Sequence, residues 1–141
     1  MKRKPIILDT GPLVASINRR DVYYEWVTDQ LKSIQSPLFT CEAVITEACF
    51  LLGRRIQDVH TILELRRRGF MIAPFHWDDE FQSIEQLMLK YTNVPMSFAD
   101  ACLVRMAEIY PNSAVLTLDS DFRIYRKNRN QVIPVIMPEI H

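Results

Sequence analysis

Short apolar runs alternate along the chain with longer segments whose apolar residues recur every three or four positions, the pattern of strands interleaved with helices. Pro5 to Leu8 reads as a first strand, ended by Asp9-Thr10-Gly11-Pro12. Thr10 can cap the helix that follows, about Pro12 to Asn18, and Pro12 lies in its first turn, where a missing N–H costs nothing. After a polar turn at Arg19-Arg20-Asp21, Tyr23 to Ser33 reads as a second helix with Trp26, Val27 and Leu31 on one face. Leu38-Phe39-Thr40 is a second strand, and Glu42 to Gly53 a helix so apolar on all sides that burial is expected. Asp58 to Arg68 follows, with a basic end that suits a helix C-terminus and Gly69 to close it. Phe70 to Phe75 gives a third strand, and Asp78 to Tyr91 an amphipathic helix with acids in its first turn. Ser97-Phe98-Ala99-Asp100 has the spacing of a capping box ahead of a helix over Ala101 to Tyr110. Ala114 to Leu118, broken only by Thr117, reads as a buried parallel strand. A short helix carrying Arg123, Arg126 and Lys127 is expected after Asp121, then a last strand from Gln131 to Met137. Such alternation predicts an α/β fold, a parallel sheet with helices on both faces.

Composition narrows this further. The length of 141 residues, 48% of them hydrophobic, suits a single domain over 1–141 with a real core. Seventeen basic and seventeen acidic residues cancel, so a polyanion has to be caught locally rather than by a whole-molecule field. Cys41, Cys49 and Cys102 form no CxxC pair and lie in apolar runs, which reads as buried reduced thiols in a cytoplasmic protein. Lys2 to Lys4 form a solvated lead-in, and the apolar run after them is too short for a signal peptide or membrane span. His60, His76 and His141 have no partner at metal spacing, and only three glycines leave no phosphate-binding loop.

The acids change the picture. Asp9, Asp119 and Asp121 follow strand ends, where ligands bind in open α/β sheets. Asp100 begins the helix whose following strand delivers Asp119, and Glu47 lies inside an apolar helix, where an ionised carboxylate needs a cation, a donor or a cleft. Each acid also has a plain structural role open to it. Asp100 can be a cap, Asp9 an Asx turn, Asp119 and Asp121 loop acids, and Glu47 a partner of Arg54 or Arg55. Several carboxylates in one cleft repel one another strongly enough to demand a compensating charge. An all-oxygen set favours Mg²⁺ or Mn²⁺ over zinc, and such an ion serves phosphodiester hydrolysis by activating water. Thr10, Ser97 and Thr117 stand next to these acids and can orient them, although Ser97 also suits a simple N-cap. Arg123, Arg126, Lys127 and Arg129 form a basic run that can hold a phosphate backbone or simply face solvent. An aspartyl-phosphate phosphatase would use Asp9 as nucleophile with a second Asp two residues on, where Gly11 stands.

Four segments, in order, resemble the PIN-domain family, particularly the VapC-like toxins of type II toxin–antitoxin pairs. They are Ile7-Leu8-Asp9-Thr10-Gly11-Pro12-Leu13-Val14-Ala15; Val44-Ile45-Thr46-Glu47-Ala48; Lys90-Tyr91 with Pro95-Met96-Ser97-Phe98-Ala99-Asp100-Ala101; and Thr117-Leu118-Asp119-Ser120-Asp121-Phe122. The resemblance implies a three-layer α/β/α fold with a central parallel sheet. It implies a Mg²⁺- or Mn²⁺-dependent endoribonuclease acting on RNA, usually a homodimer and usually inhibited by a small antitoxin. Asp9, Glu47, Asp100 and Asp119 match its metal ligands, Asp121 a further acid of varying role, and Thr10, Ser97 and Thr117 its supporting hydroxyls. Many relatives carry a histidine shortly after the acid matching Asp21, where this chain has Tyr23-Tyr24. A PIN-like module that binds RNA or protein without catalysis is the alternative.

Overall fold

Ile6–Leu8 (β1) lies at the centre of the sheet, and its Ile7 and Leu8 are buried, as a strand covered on both faces requires. The structure is a computed structural model and describes residues 4–53 and 55–139. Lys2, the Arg54 pairing and His141 of the sequence reading therefore lie outside the described residues. Thr10–Ile17 (α1) and Tyr24–Ser33 (α2) follow, then Leu38–Phe39 (β2), Glu42–Leu51 (α3) and Ile56–Arg67 (α4). Met71–Ile72 (β3), Trp77–Lys90 (α5), Phe98–Ile109 (α6) and Ala114–Leu116 (β4) complete the main body. The sheet order is β3-β2-β1-β4-β7, with Val135–Ile136 as the edge strand β7, and every pairing is parallel. Ile7 sits opposite Phe39 on one side and Val115 on the other. Successive strands step from β1 out to β3, then the chain returns through α5 and α6 to β4 on the other side of β1. The gap beyond the ends of β1 and β4 is thus the topological switch point, where open α/β sheets hold their ligands. The arrangement is a three-layer α/β/α fold, as expected.

Some local expectations need correction. Asp9, not Thr10, is the N-cap of α1: its carboxylate accepts from the Thr10 N–H and Thr10 is already helical. The first turn therefore begins two residues earlier than the prolines suggested. Helix α3 is not buried all round, since Thr46, Glu47, Phe50 and Leu51 face outward; its apolar residues outnumber the positions the core can take. The third strand shrinks from Phe70–Phe75 to Met71–Ile72 because Pro74 offers no N–H to a ladder. The basic helix is also different. Only Arg123 belongs to a 3₁₀ turn, Ser120–Arg123, while Arg126–Lys127 (β5) pairs antiparallel with Gln131–Val132 (β6). Asn128 and Arg129 turn this hairpin with positive φ. The expected last strand, Gln131 to Met137, is accordingly split at Ile133-Pro134 into β6 and β7. The capping box is present as read: Ser97 Oγ accepts from Asp100 N at 3.0 Å and Asp100 Oδ2 from Ser97 N at 3.2 Å. Gly69, with φ of 77°, closes α4 just beyond its last turn, the left-handed conformation glycine adopts without strain.

Candidate active site

The site is built from three carboxylates delivered by separate elements to the switch point. Asp9 leaves the end of β1, Asp100 opens α6, and Asp119 follows β4 as the cap of the 3₁₀ turn. Asp9 is 6% exposed, and both of its oxygens are engaged: Oδ1 accepts from Thr10 N at 2.7 Å, Oδ2 from the Thr117 hydroxyl at 2.6 Å. Thr117 Oγ1 in turn accepts from Asp119 N at 2.9 Å, so one hydroxyl ties the β1 acid to the chain that carries the β4 acid. Asp119 Oδ1 accepts from Asp121 N at 2.9 Å, which fixes the short turn.

Electrostatics place these groups in one another's field. Burial pushes the Asp9 carboxyl up to about 6, and the charges of Asp100 and Asp119 push the same way against its two hydrogen bonds. Asp100 is also raised, first by burial, with Asp119 adding repulsion. Among the described residues no Lys or Arg forms an ion pair with Asp9, Asp100, Asp119 or Asp121. The charge of the cluster is left to something other than the protein's own cations.

Glu47 stands differently. It is exposed on α3 and lines a cleft of about 820 Å³ together with Thr46, Phe50, Trp77, Ser97 and Phe98. The buried, unpaired carboxylate inferred for it from an apolar helix is absent, because α3 turns that face to solvent. Ala99 and Cys102, on either side of Asp100, line the same cleft, so it runs past the base of α6, although Asp9, Asp100, Asp119 and Asp121 are not among its lining residues. Ser97 is exposed and serves α6 as its cap. Thr10 is buried beside Asp9, and its hydroxyl finds no hydrogen-bond partner among the described residues.

Among the described residues no three carboxylate, imidazole or thiol groups sit together closely enough to hold an ion by themselves. A Mg²⁺ ion asks less than that, since it keeps most of its waters and takes only one or two protein carboxylates. Asp9, Asp100 and Asp119, with the orphaned Thr10 hydroxyl alongside, fit such a group. All donors are oxygens, as hard cations prefer.

Basic residues near the site divide into two kinds. The Arg126 guanidinium donates to the carbonyls of Arg123, Ile124 and Tyr125, and Lys127 is buried, so both serve the hairpin. Arg123 and Arg129 are exposed. Sequence reasoning missed Tyr125, whose hydroxyl donates to Asp100 Oδ2 at 3.1 Å from a fully buried ring. The available signal was an aromatic residue inside a strongly basic run, since a buried tyrosine must find its hydroxyl a partner. Cys41 and Cys102 are buried and Cys49 half-buried, and all three are free thiols. No helix among the described residues is long and apolar enough to cross a membrane.

Comparison with known proteins agrees with this fold. No curated protein matches the chain significantly. Among solved structures, the fold is similar to that of VapC20 of Mycobacterium tuberculosis, a Sarcin-Ricin loop cleaving toxin, with a TM-score of 0.72 at 20% identity over 82% of this chain and 91% of that one. The PIN domain family model matches residues 6–128, a span that takes in β1, α6, β4 and every acid described above. The chain belongs to the PIN-domain family.

Proposed function

We propose that the protein is a Mg²⁺- or Mn²⁺-dependent endoribonuclease, the toxin of a toxin–antitoxin pair. The observation that carries this reading is the convergence of Asp9, Asp100 and Asp119 at the switch point, two of them held toward protonation and none paired with a cation among the described residues. Acids that repel one another in this way attract a divalent cation, which keeps most of its waters and needs only one or two of them as ligands, with Glu47 as a further ligand reached from the cleft wall. When bound, such an ion activates water and offsets the charge that builds on a phosphodiester in hydrolysis. The chain's own residues do the rest. Thr117 holds Asp9 in place, and the turn at Asp119 to Asp121 sets the height of its two acids above β4. The cleft beside α6 admits the RNA strand, and Arg123 and Arg129 meet its phosphates from the exposed side. Hydrolysis by water in the family's manner leaves a 5′-phosphate and a 3′-hydroxyl.

Support for RNA as substrate and for an antitoxin partner comes from family membership and from the similarity to VapC20. A homodimer in the cytoplasm is the accompanying expectation, checked by sedimentation of the purified chain and by fractionation.

The test is incubation of the purified chain, free of any antitoxin, with end-labelled tRNAs and rRNA fragments in Mg²⁺, in Mn²⁺ and in chelator. Cleavage is expected with either ion, and Asp100→Asn is expected to lower it by about 100-fold or more, beyond the effect of removing an outer-shell partner. Metal-independent binding of RNA with no turnover by either protein would instead identify a binding module.

A further inference from the structure

Asp100 is held by donors from two different parts of the chain. Its Oδ2 accepts from Ser97 N at 3.2 Å, within its own helix cap, and from the Tyr125 hydroxyl at 3.1 Å. Tyr125 is 0% exposed and cannot swing away: its ring stands edge-on to Tyr91 at 5.2 Å and to Phe122 at 5.3 Å. The backbone around it is pinned too. Tyr125 N donates to Asp121 O at 3.1 Å, and Arg126 N donates to the Tyr91 hydroxyl at 2.8 Å. The cap bond from Ser97 N alone would leave the carboxylate free to pivot about a single contact. The tyrosine removes that freedom.

We infer that Tyr125 is a positioning residue for Asp100: its hydroxyl holds one carboxylate oxygen against the aromatic cluster, so that the other is presented to the divalent cation of the site. The inference rests on the metal-dependent reading above. It also gives the β5–β6 hairpin a purpose. Lys90 Nζ donates to Arg129 O at 2.5 Å and Asn128 N to Glu108 Oε2 at 2.7 Å, so the hairpin is fastened to α5 and α6, and Tyr125 immediately precedes it. Outer partners of this kind orient ligands, and their loss costs about one to two orders of magnitude in metal affinity.

A purely structural tyrosine would also be buried and bonded, so the test separates the two roles. Mn²⁺ is titrated calorimetrically into the full chain, as wild type, Tyr125→Phe and Tyr91→Phe, and the melting of each is followed without metal. Tyr125→Phe keeps the ring and is expected to bind Mn²⁺ at least about tenfold more weakly, with metal-free melting close to wild type. Its RNA cleavage should recover at high Mn²⁺, a shift in metal requirement rather than in maximal rate. Tyr91→Phe removes the hydroxyl that accepts from Arg126 N but keeps the ring packing and the Tyr125–Asp100 bond, so it should weaken Mn²⁺ binding clearly less than Tyr125→Phe does. Equal affinity in wild type and Tyr125→Phe would overturn the inference and leave the nuclease reading intact. An equal loss in both tyrosine variants would overturn it as well, by tracing the effect to packing. Wild type that binds no Mn²⁺ would overturn the metal-dependent reading itself and this inference with it.

Discussion

Asp9 is a carboxylate that the fold holds at a cost. Burial outweighs its hydrogen bonds from Thr10 and Thr117, and its carboxyl rises from 3.8 to about 6. An acid raised on folding takes up a proton more readily in the native state, so its contribution to stability is fully present below pH 4 and is lost as pH rises through 6. The shift corresponds to about 3 kcal/mol. Urea unfolding of metal-free protein should therefore show stability falling between pH 4 and pH 6, and Asp9→Asn should flatten that slope. Asp100, raised in the same direction, leaves a smaller remnant in the variant. Asp9 and Asp119 were legible as residues of the candidate site because each follows an apolar run that ends at the sheet edge. The exposure of Glu47 was not: an acid within Val44-Ile45-Thr46-Glu47-Ala48-Cys49 looks buried until the neighbours of α3 are known.

At the scale of elements, the region after Asp121 shows why charge alone misleads. Six basic or amide side chains lie from Arg123 to Asn130, and a helix with a basic face was the natural reading, yet the chain forms a 3₁₀ turn and a hairpin. What decides is the burial of Phe122, Tyr125 and Ile133 against the core, which the spacing of one short segment does not display. The functional consequence is a division of labour among the cations. Arg126→Ala removes the guanidinium that binds three carbonyls and should destabilise the fold by about 1–2 kcal/mol in a melting experiment. Arg123→Ala should leave melting unchanged and lessen the salt dependence of RNA binding, by about 0.7 in the log–log slope if it meets one phosphate of a single strand. Binding measured over a series of salt concentrations checks both.

For the whole molecule, a cation that binds only the folded state adds to its stability. At about 100 times its dissociation constant, Mg²⁺ or Mn²⁺ should raise stability by about 2.7 kcal/mol, seen as a higher melting temperature, and Asp100→Asn should reduce that gain. The layered fold was visible in the sequence because it rests on periodicity: apolar runs at Ile6 to Leu8 and Ala114 to Leu116, amphipathic repeats between them, and the Ser97–Asp100 cap are local signals. Strand order is not local. Only the folded chain places β4 beside β1, and that adjacency lets a hydroxyl from Thr117 reach a carboxylate 108 positions earlier. The sequence by itself determined which acids end strands or open helices, since backbone pattern and residue type suffice for that. Tertiary structure alone decided which of them share one field, that Glu47 stands on an open cleft wall, and that Tyr125 reaches Asp100, because burial and distance between remote segments depend on how the layers pack.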